Sequence, residues 1–283
     1  MPHKLTKIHV ILFILTVITT TIAGAMLSGV NPLENPDKIY LGLRFSLPLL
    51  LILLVHEFSH YFMSRKHHVS ASLPYFIPAP PPFIIGTFGA IIKMKPPIFD
   101  RRALIDIGAS GPIGGFAISI IALIIGLSYS DIIPLEEARK IEGGFSLGNS
   151  ILFYIIAKIV LNINPDKYEI LLHPVAFAGW IGFLVTSLNL LPIGQLDGGH
   201  IVYALFGERH EWIAKATIPV LILLGIIFWE GWLIWAFLLI LIGYKHPPVV
   251  YPQIQLDRKR RIIGWVSLAI FILTFTPTPF AGV

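Results

Sequence analysis

The first chemical signal in this chain is His56-Glu57-Phe58-Ser59-His60, set inside the apolar run LILLVHEFSHYFMS at 51–64. On an α-helix, residues four apart lie about 40° apart around the axis and roughly 6 Å along it, so both imidazoles project from one face. Two imidazoles so placed can share one Zn²⁺. Glu57 beside them can take a proton from a water activated by the metal. The flanks at 47–55 and 61–63 are those of a helix in lipid, where ionisable groups are costly and mark function. The plainer reading, two histidines merely packed between helices, leaves two His and a Glu in hydrocarbon without a reason.

A catalytic zinc usually has three protein ligands and one open position. The chain has no cysteine, so the third must be a histidine or a carboxylate. The stretch NLLPIGQLDGGH at 189–200 offers Asp197. There Pro192, Gly194, Gly198 and Gly199 break a helix at membrane depth, which is tolerated only where backbone is buried in protein or lines a wet cavity. Asp197 is the expected third ligand, and His200 is its competitor.

The elements that must position these groups are membrane spans. Of 283 residues, 55% are hydrophobic and only 13% charged, which excludes a soluble domain on a single anchor. The formal charge of +5 sits mainly in connections between apolar runs. It reads as membrane orientation and excludes nucleic acid as a partner. A first span over 8–30 is expected to be retained although Ala23-Gly24-Ala25 mimics a signal-peptidase site. The second span, 41–64, ends in Arg65-Lys66-His67-His68, which marks the cytoplasmic side and leaves His67 and His68 at the interface. His60 then lies roughly 8 Å from Arg65 along the axis, so the metal sits nearer the cytoplasm.

Downstream, the Pro-rich stretch with Pro74, Pro78, Pro80, Pro81 and Pro82 cannot be regular helix. The segment from Gly86 to Lys95 reads as a short strand or hairpin, either a plain loop or an edge on which an extended substrate adds as a strand. A third span covers 103–128, where GASGPIGG permits close helix contact and Asp106 serves as a structural partner. An external loop follows at 129–144. Residues 145–161 are expected to form an interfacial helix that does not cross. A span at 172–191 leads into the break, 212–244 folds as a hairpin of two spans turning at Glu230, and 262–276 forms the last span. The expectation is an all-α polytopic membrane protein of six to seven transmembrane helices with a short β-strand or hairpin near the cytoplasmic face. It forms one domain over 1–283 with a catalytic core at about 41–206.

Taken together, His56-Glu57-Phe58-Ser59-His60 and Asn189-Leu190-Leu191-Pro192 leading to Asp197-Gly198-Gly199 resemble the paired motifs of the site-2 proteases, zinc enzymes that cut within membranes. GTFGAIIKM, RRALIDIGASGPIGG and LTFTPTPF extend the resemblance almost end to end. The resemblance implies that His56, His60 and Asp197 bind zinc and that Glu57 activates water. It also implies that Asn189 contacts the substrate backbone or the developing oxyanion, and that Gly86, Thr87, Phe88 and Gly89 pair with an unwound substrate. Implied partners are transmembrane-helix substrates in the lipid bilayer, with the oligomeric state left open. The chain departs from larger relatives in having no room for a PDZ or CBS domain. The expected location is a prokaryotic cytoplasmic membrane. Two rivals remain: a CaaX-type prenyl-protein endopeptidase, which also places HExxH in membrane helices but against which the DGG motif argues, and a divalent-metal transporter, which usually needs several polar spans where only one cluster is visible.

Overall fold

The computed structural model describes residues 5–81, 83–95, 97–138, 145–163 and 168–282; Pro82 and part of the expected external loop, 139–144, fall outside them. Helix α1 (Lys7–Leu27) and helix α2 (Leu43–Lys66) are joined by a 3₁₀ turn at Pro36–Gly42. Strands β1 (Tyr75–Pro78) and β2 (Thr87–Ile91) precede the long helix α3 (Arg101–Leu127). Then come β3 (Asp131–Pro134), the short α4 (Leu135–Ala138), β4 (Phe145–Leu147), α5 (Ile151–Leu161) and β5 (Tyr168–Leu171). The chain ends with α6 (Pro174–Asn189), α7 (Asp197–Phe206), α8 (His210–Ile227), α9 (Gly231–Ile242), α10 (Arg258–Thr274) and β6 (Phe280–Gly282).

Four helical stretches are long and apolar enough to cross a membrane among the described residues: Lys7–Leu27, Pro36–Lys66, Arg101–Leu127 and Asp197–Ile227. This is an integral membrane protein, mostly helical. The apolar run expected at 172–191 forms the 16-residue helix α6, which ends at the expected break, Leu190–Leu196. The expected hairpin at Glu230 is present as α8 and α9, although α9 has only 12 residues. Helix α5 has 11 residues, about 17 Å at 1.5 Å each and well short of the hydrocarbon thickness. Among the described residues three two-stranded sheets occur, where the sequence suggested one short strand or hairpin.

The chain divides into two compact units. The first comprises Met1–Pro96, Gly114–Ile132 and Ile170–Gly182. Here α1 keeps its threonines compatible with lipid by returning Thr16, Thr20 and Thr21 hydroxyls to the carbonyls four residues back. Thr20 also meets the Ser46 hydroxyl of α2 at 2.6 Å, a buried polar link between helices. Further along, α3 and α6 touch backbone to backbone. A Cβ on Gly179 would meet Leu123 N at 2.7 Å, and one on Gly126 would meet Ala176 N at 2.0 Å. Only glycine permits that approach. Phe45, Leu49, Ile52, Leu123, Trp180 and Ile181 fill the core. Strands β1 and β2 pair antiparallel with Tyr75 opposite Ile91 and Phe76 opposite Ala90.

The second unit comprises Pro97–Ile113, Ile133–Glu169 and Phe183–Val283. Its core includes one cluster around Leu191, Ile193, Leu221, Trp232 and Leu239 and another around Leu104, Ile105, Tyr203, Val249 and Leu256. Asp257 caps α10 by accepting from Arg260 N at 2.9 Å. The Arg260 guanidinium reaches both Asp106 oxygens at 2.7–3.0 Å and also Asp257. Asp106 is thus a structural partner, as the sequence suggested. The Arg260 backbone N–H first, and then its guanidinium, hold the Asp257 carboxyl below its usual range.

Candidate metal centre

Helix α2 is unbroken through His56 and His60, so helix geometry alone presents both rings on one face. Their Nε2 atoms lie 3.2 Å apart and the ring centroids 4.9 Å. His56, Glu57 and His60 are all buried, at 3%, 6% and 5% exposure. A neighbouring glycine pair seats this face. A Cβ on Gly115 of α3 would meet His56 Nδ1 at 3.1 Å, and one on Gly114 would meet Ser59 Oγ at 2.6 Å. The close contact expected of GASGPIGG therefore has a specific purpose: it brings α3 backbone flush against the histidine helix.

The stretch between α6 and α7 is built differently. Asn189 is the last residue of α6, half-buried, and Leu190, Leu191 and Ile193 bury their side chains beyond it. Gly194 takes a left-handed φ of +57° and donates its N–H to the Tyr244 carbonyl at 3.1 Å. The chain then re-enters a helix at Asp197. The two glycines after Asp197 are dictated by carbonyl oxygens crossing over the new helix. A Cβ on Gly198 would meet Leu190 O at 2.0 Å, and one on Gly199 would meet Gly194 O at 2.3 Å. The DGG sequence is the condition for starting a helix against a folded-back loop.

One ring nitrogen of His56, one of His60 and a carboxylate oxygen of Asp197 all lie within 4.8 Å of one another, and this is the one such group among the described residues. Two imidazole nitrogens and a carboxylate oxygen, with no thiolate in the chain, are a donor set that fits zinc. His200 is not a member of the group. Its Nδ1 lies 2.7 Å from His246 Nε2, and His246 Nδ1 lies 2.6 Å from the Pro247 carbonyl. A carbonyl can only accept, so His246 carries its proton on Nδ1. Burial first, then the neighbouring His200, pushes the His246 pKa down to about 3, so the ring is neutral near pH 7. His246 Nε2 must then accept from His200 Nδ1. The Tyr203 ring stacks on His246 with centroids 4.4 Å apart. Nothing in the sequence pattern marks His246, because its partner lies 46 positions away.

The residues expected to hold substrate are placed unequally. The Gly86 carbonyl accepts from Thr19 Oγ1 at 2.6 Å, and Thr87 is buried with its hydroxyl on the Ile77 carbonyl. These two build the hairpin. Phe88 is 60% exposed, and Gly89 has φ +96° with open space where a Cβ would stand. The Gly89 N–H is directed at Thr87 Oγ1, 3.0 Å away.

The profile of Peptidase family M50 matches residues 44–229, a span that holds both halves of the metal group. The chain belongs to that family. This M50 protein is 30% identical over 258 residues to "Probable zinc metalloprotease EGY1, chloroplastic" of Arabidopsis thaliana, covering 87% of the chain and 46% of the relative. It is 31% identical over 233 residues to the protein of the same name from Oryza sativa subsp. japonica, covering 81% of the chain and 39% of the relative. It is 27% identical over 250 residues to "Probable zinc metalloprotease EGY2, chloroplastic" of Arabidopsis thaliana, covering 88% and 44%. The M50 chain thus spans under half the length of these curated relatives. No solved structure matches it.

Proposed function

We propose that this M50 protein is an intramembrane zinc endopeptidase that hydrolyses peptide bonds within or beside the transmembrane helices of other membrane proteins. The observation that carries this reading is the His56–His60–Asp197 group, with Glu57 next to it, on helices of apolar, membrane-spanning composition. A zinc ion held by two imidazoles and a carboxylate supplies a Lewis acid that polarises the scissile carbonyl and acidifies water. Glu57 takes one proton from the attacking water as its oxygen bonds to the carbonyl carbon. It returns that proton to the amide nitrogen as the C–N bond breaks. The Asn189 amide donates to the substrate carbonyl or backbone.

Transmembrane substrates must unwind before attack, because helical carbonyls are engaged in their own ladder. In lipid each unpaired group costs several kcal/mol. Among the described residues strand β2 has a strand neighbour on one edge only and can pair the opened segment, with Phe88 and Gly89 as the presented residues. The whole chain acts as one integral-membrane protease domain, with its core at about 41–206. Its six to seven helices traverse or enter the bilayer with the metal nearer the basic, cytoplasmic side. That orientation rests on the Lys/Arg clusters at 65–66 and 258–261. A prokaryotic cytoplasmic membrane is the proposed setting, with the Lys/Arg clusters toward the cytoplasm; the relatives named above are chloroplastic.

The test is Glu57→Gln in the full chain, reconstituted with a transmembrane-helix substrate. Cleavage should fall about 10²–10⁴-fold while bound zinc and thermal unfolding stay unchanged, the loss expected of a general base. Cleavage at the parental rate would remove Glu57 from the mechanism. A carrier reading would require zinc movement across vesicles that Glu57→Gln leaves intact.

A further inference from the structure

Within the second unit, a cavity of about 300 Å³ is lined by Arg101, Leu205, Phe206, Gln255, Leu256, Arg261 and Trp265. Two guanidinium groups face one small space. The described residues place no carboxylate in ion-pair range of either. Their neighbour Arg260 shows the contrast, since Asp106 and Asp257 between them occupy its guanidinium. Arg101 spends Nε on the Ala204 carbonyl at 2.7 Å and Nη2 on the Leu205 carbonyl at 2.9 Å. These bonds use two of its five N–H donors and fix the plane of the group. Arg101 is half-buried and Arg261 is exposed beside it, and an anion between two such like charges is favoured by both.

The apolar part of the lining narrows the choice of anion. Leu256 in the lining is buried, while Phe206 meets the Trp265 ring edge-to-face at 5.9 Å. Trp265 is 56% exposed, and Ile262 and Val266 continue the same exposed apolar face of α10. Two arginines and an aromatic and aliphatic lining in one cavity suit a molecule with a phosphate at one end and hydrocarbon at the other. Planar guanidinium forks match phosphate oxygens two at a time. Tryptophan settles at the headgroup level of a bilayer. We infer that this cavity is a binding site for the phosphate of an anionic phospholipid, with Arg101 and Arg261 as its ligands and Trp265 against the acyl chain. The inference stands apart from the proteolytic reading, since no lining residue belongs to the metal group.

The experiment uses the full chain in neutral detergent, with retained lipid counted by native mass spectrometry. The probes are phosphatidylglycerol and phosphatidylcholine of identical acyl chains, with glycerol phosphate as the soluble arm. Because Arg101 also holds two backbone carbonyls, Arg261→Gln is the decisive variant. Arg258→Gln removes a charge of the same basic run that does not line the cavity. Phosphatidylglycerol should be retained about tenfold over phosphatidylcholine. Arg261→Gln should erase that preference, a change of about 1.4 kcal/mol, and Arg258→Gln should leave it within twofold. Equal retention of the two lipids, or equal loss in the two variants, would overturn the site. Competition by glycerol phosphate at the concentration of the lipid would show a soluble phosphate site and overturn the assignment to a lipid.

Discussion

The two stretches that carry the metal donors reach the same end by opposite means. Helix α2 places His56 and His60 by local periodicity, and its backbone bonds run without interruption through both residues. The stretch from Asn189 to His200 places Asp197 by breaking a helix, and it must satisfy the broken backbone from elsewhere. Gly194 N–H is answered by Tyr244, 50 positions away, and Leu196 N–H by the Ile193 carbonyl. A regular helix tolerates side-chain change that leaves its face intact. A folded-back loop tolerates almost none where backbone crosses backbone.

That contrast predicts which glycines matter most. Gly198→Ala drives a Cβ into Leu190 O at 2.0 Å, with no side chain able to yield. It should cost about 3 kcal/mol despite the helix-propensity gain of alanine, and zinc should be lost with it. Thermal unfolding and metal content check this together. A stable, zinc-loaded Gly198→Ala would mean the loop is not fixed by that crossing.

Gly115→Ala is the counterpart on the histidine side. The new Cβ meets His56 Nδ1 at 3.1 Å, a contact a ring can relieve by shifting a few tenths of an ångström. Stability should change by less than about 1 kcal/mol, since alanine favours the helix. Zinc affinity should fall about tenfold, because the ring is no longer held at its angle. Parallel loss of stability and metal would erase the distinction between the two stretches.

The smallest effect concerns pH. His246 has its pKa pushed down to about 3 in the fold, against about 6.5 unfolded. Between those values the unfolded chain binds the extra proton, so stability falls as pH drops below about 6.5 and holds above it. His200, His210 and Tyr203 surround the ring, and His246→Phe keeps the stack on Tyr203 while removing the titration. The variant should flatten that acid limb of the unfolding profile. An unchanged limb would assign it to another group.

The same contrast explains what the sequence could reveal. The histidine pair and Glu57 are legible because their geometry is local and needs only a helix. Asp197 was legible indirectly, through prolines and glycines that have no place in a continuous span. The number of long helices was not. Four helical stretches among the described residues are long and apolar enough to cross, where six to seven were expected, because α5, α6 and α9 are apolar but shorter. His246 and the seat that Gly115 makes for His56 were invisible for a different reason. Each depends on a partner far along the chain, and neither leaves a periodic trace.

The central claim is that two imidazoles and the Asp197 carboxylate hold one zinc ion, with His200 held outside by His246. Zinc-edge X-ray absorption on the purified full chain tests it most directly, with Asp197→Asn and His200→Ala beside the parent. The parent should show two imidazole ligands and oxygen donors, His200→Ala an unchanged spectrum, and Asp197→Asn a strong loss of bound zinc. A third imidazole in the parent that disappears in His200→Ala would contradict it.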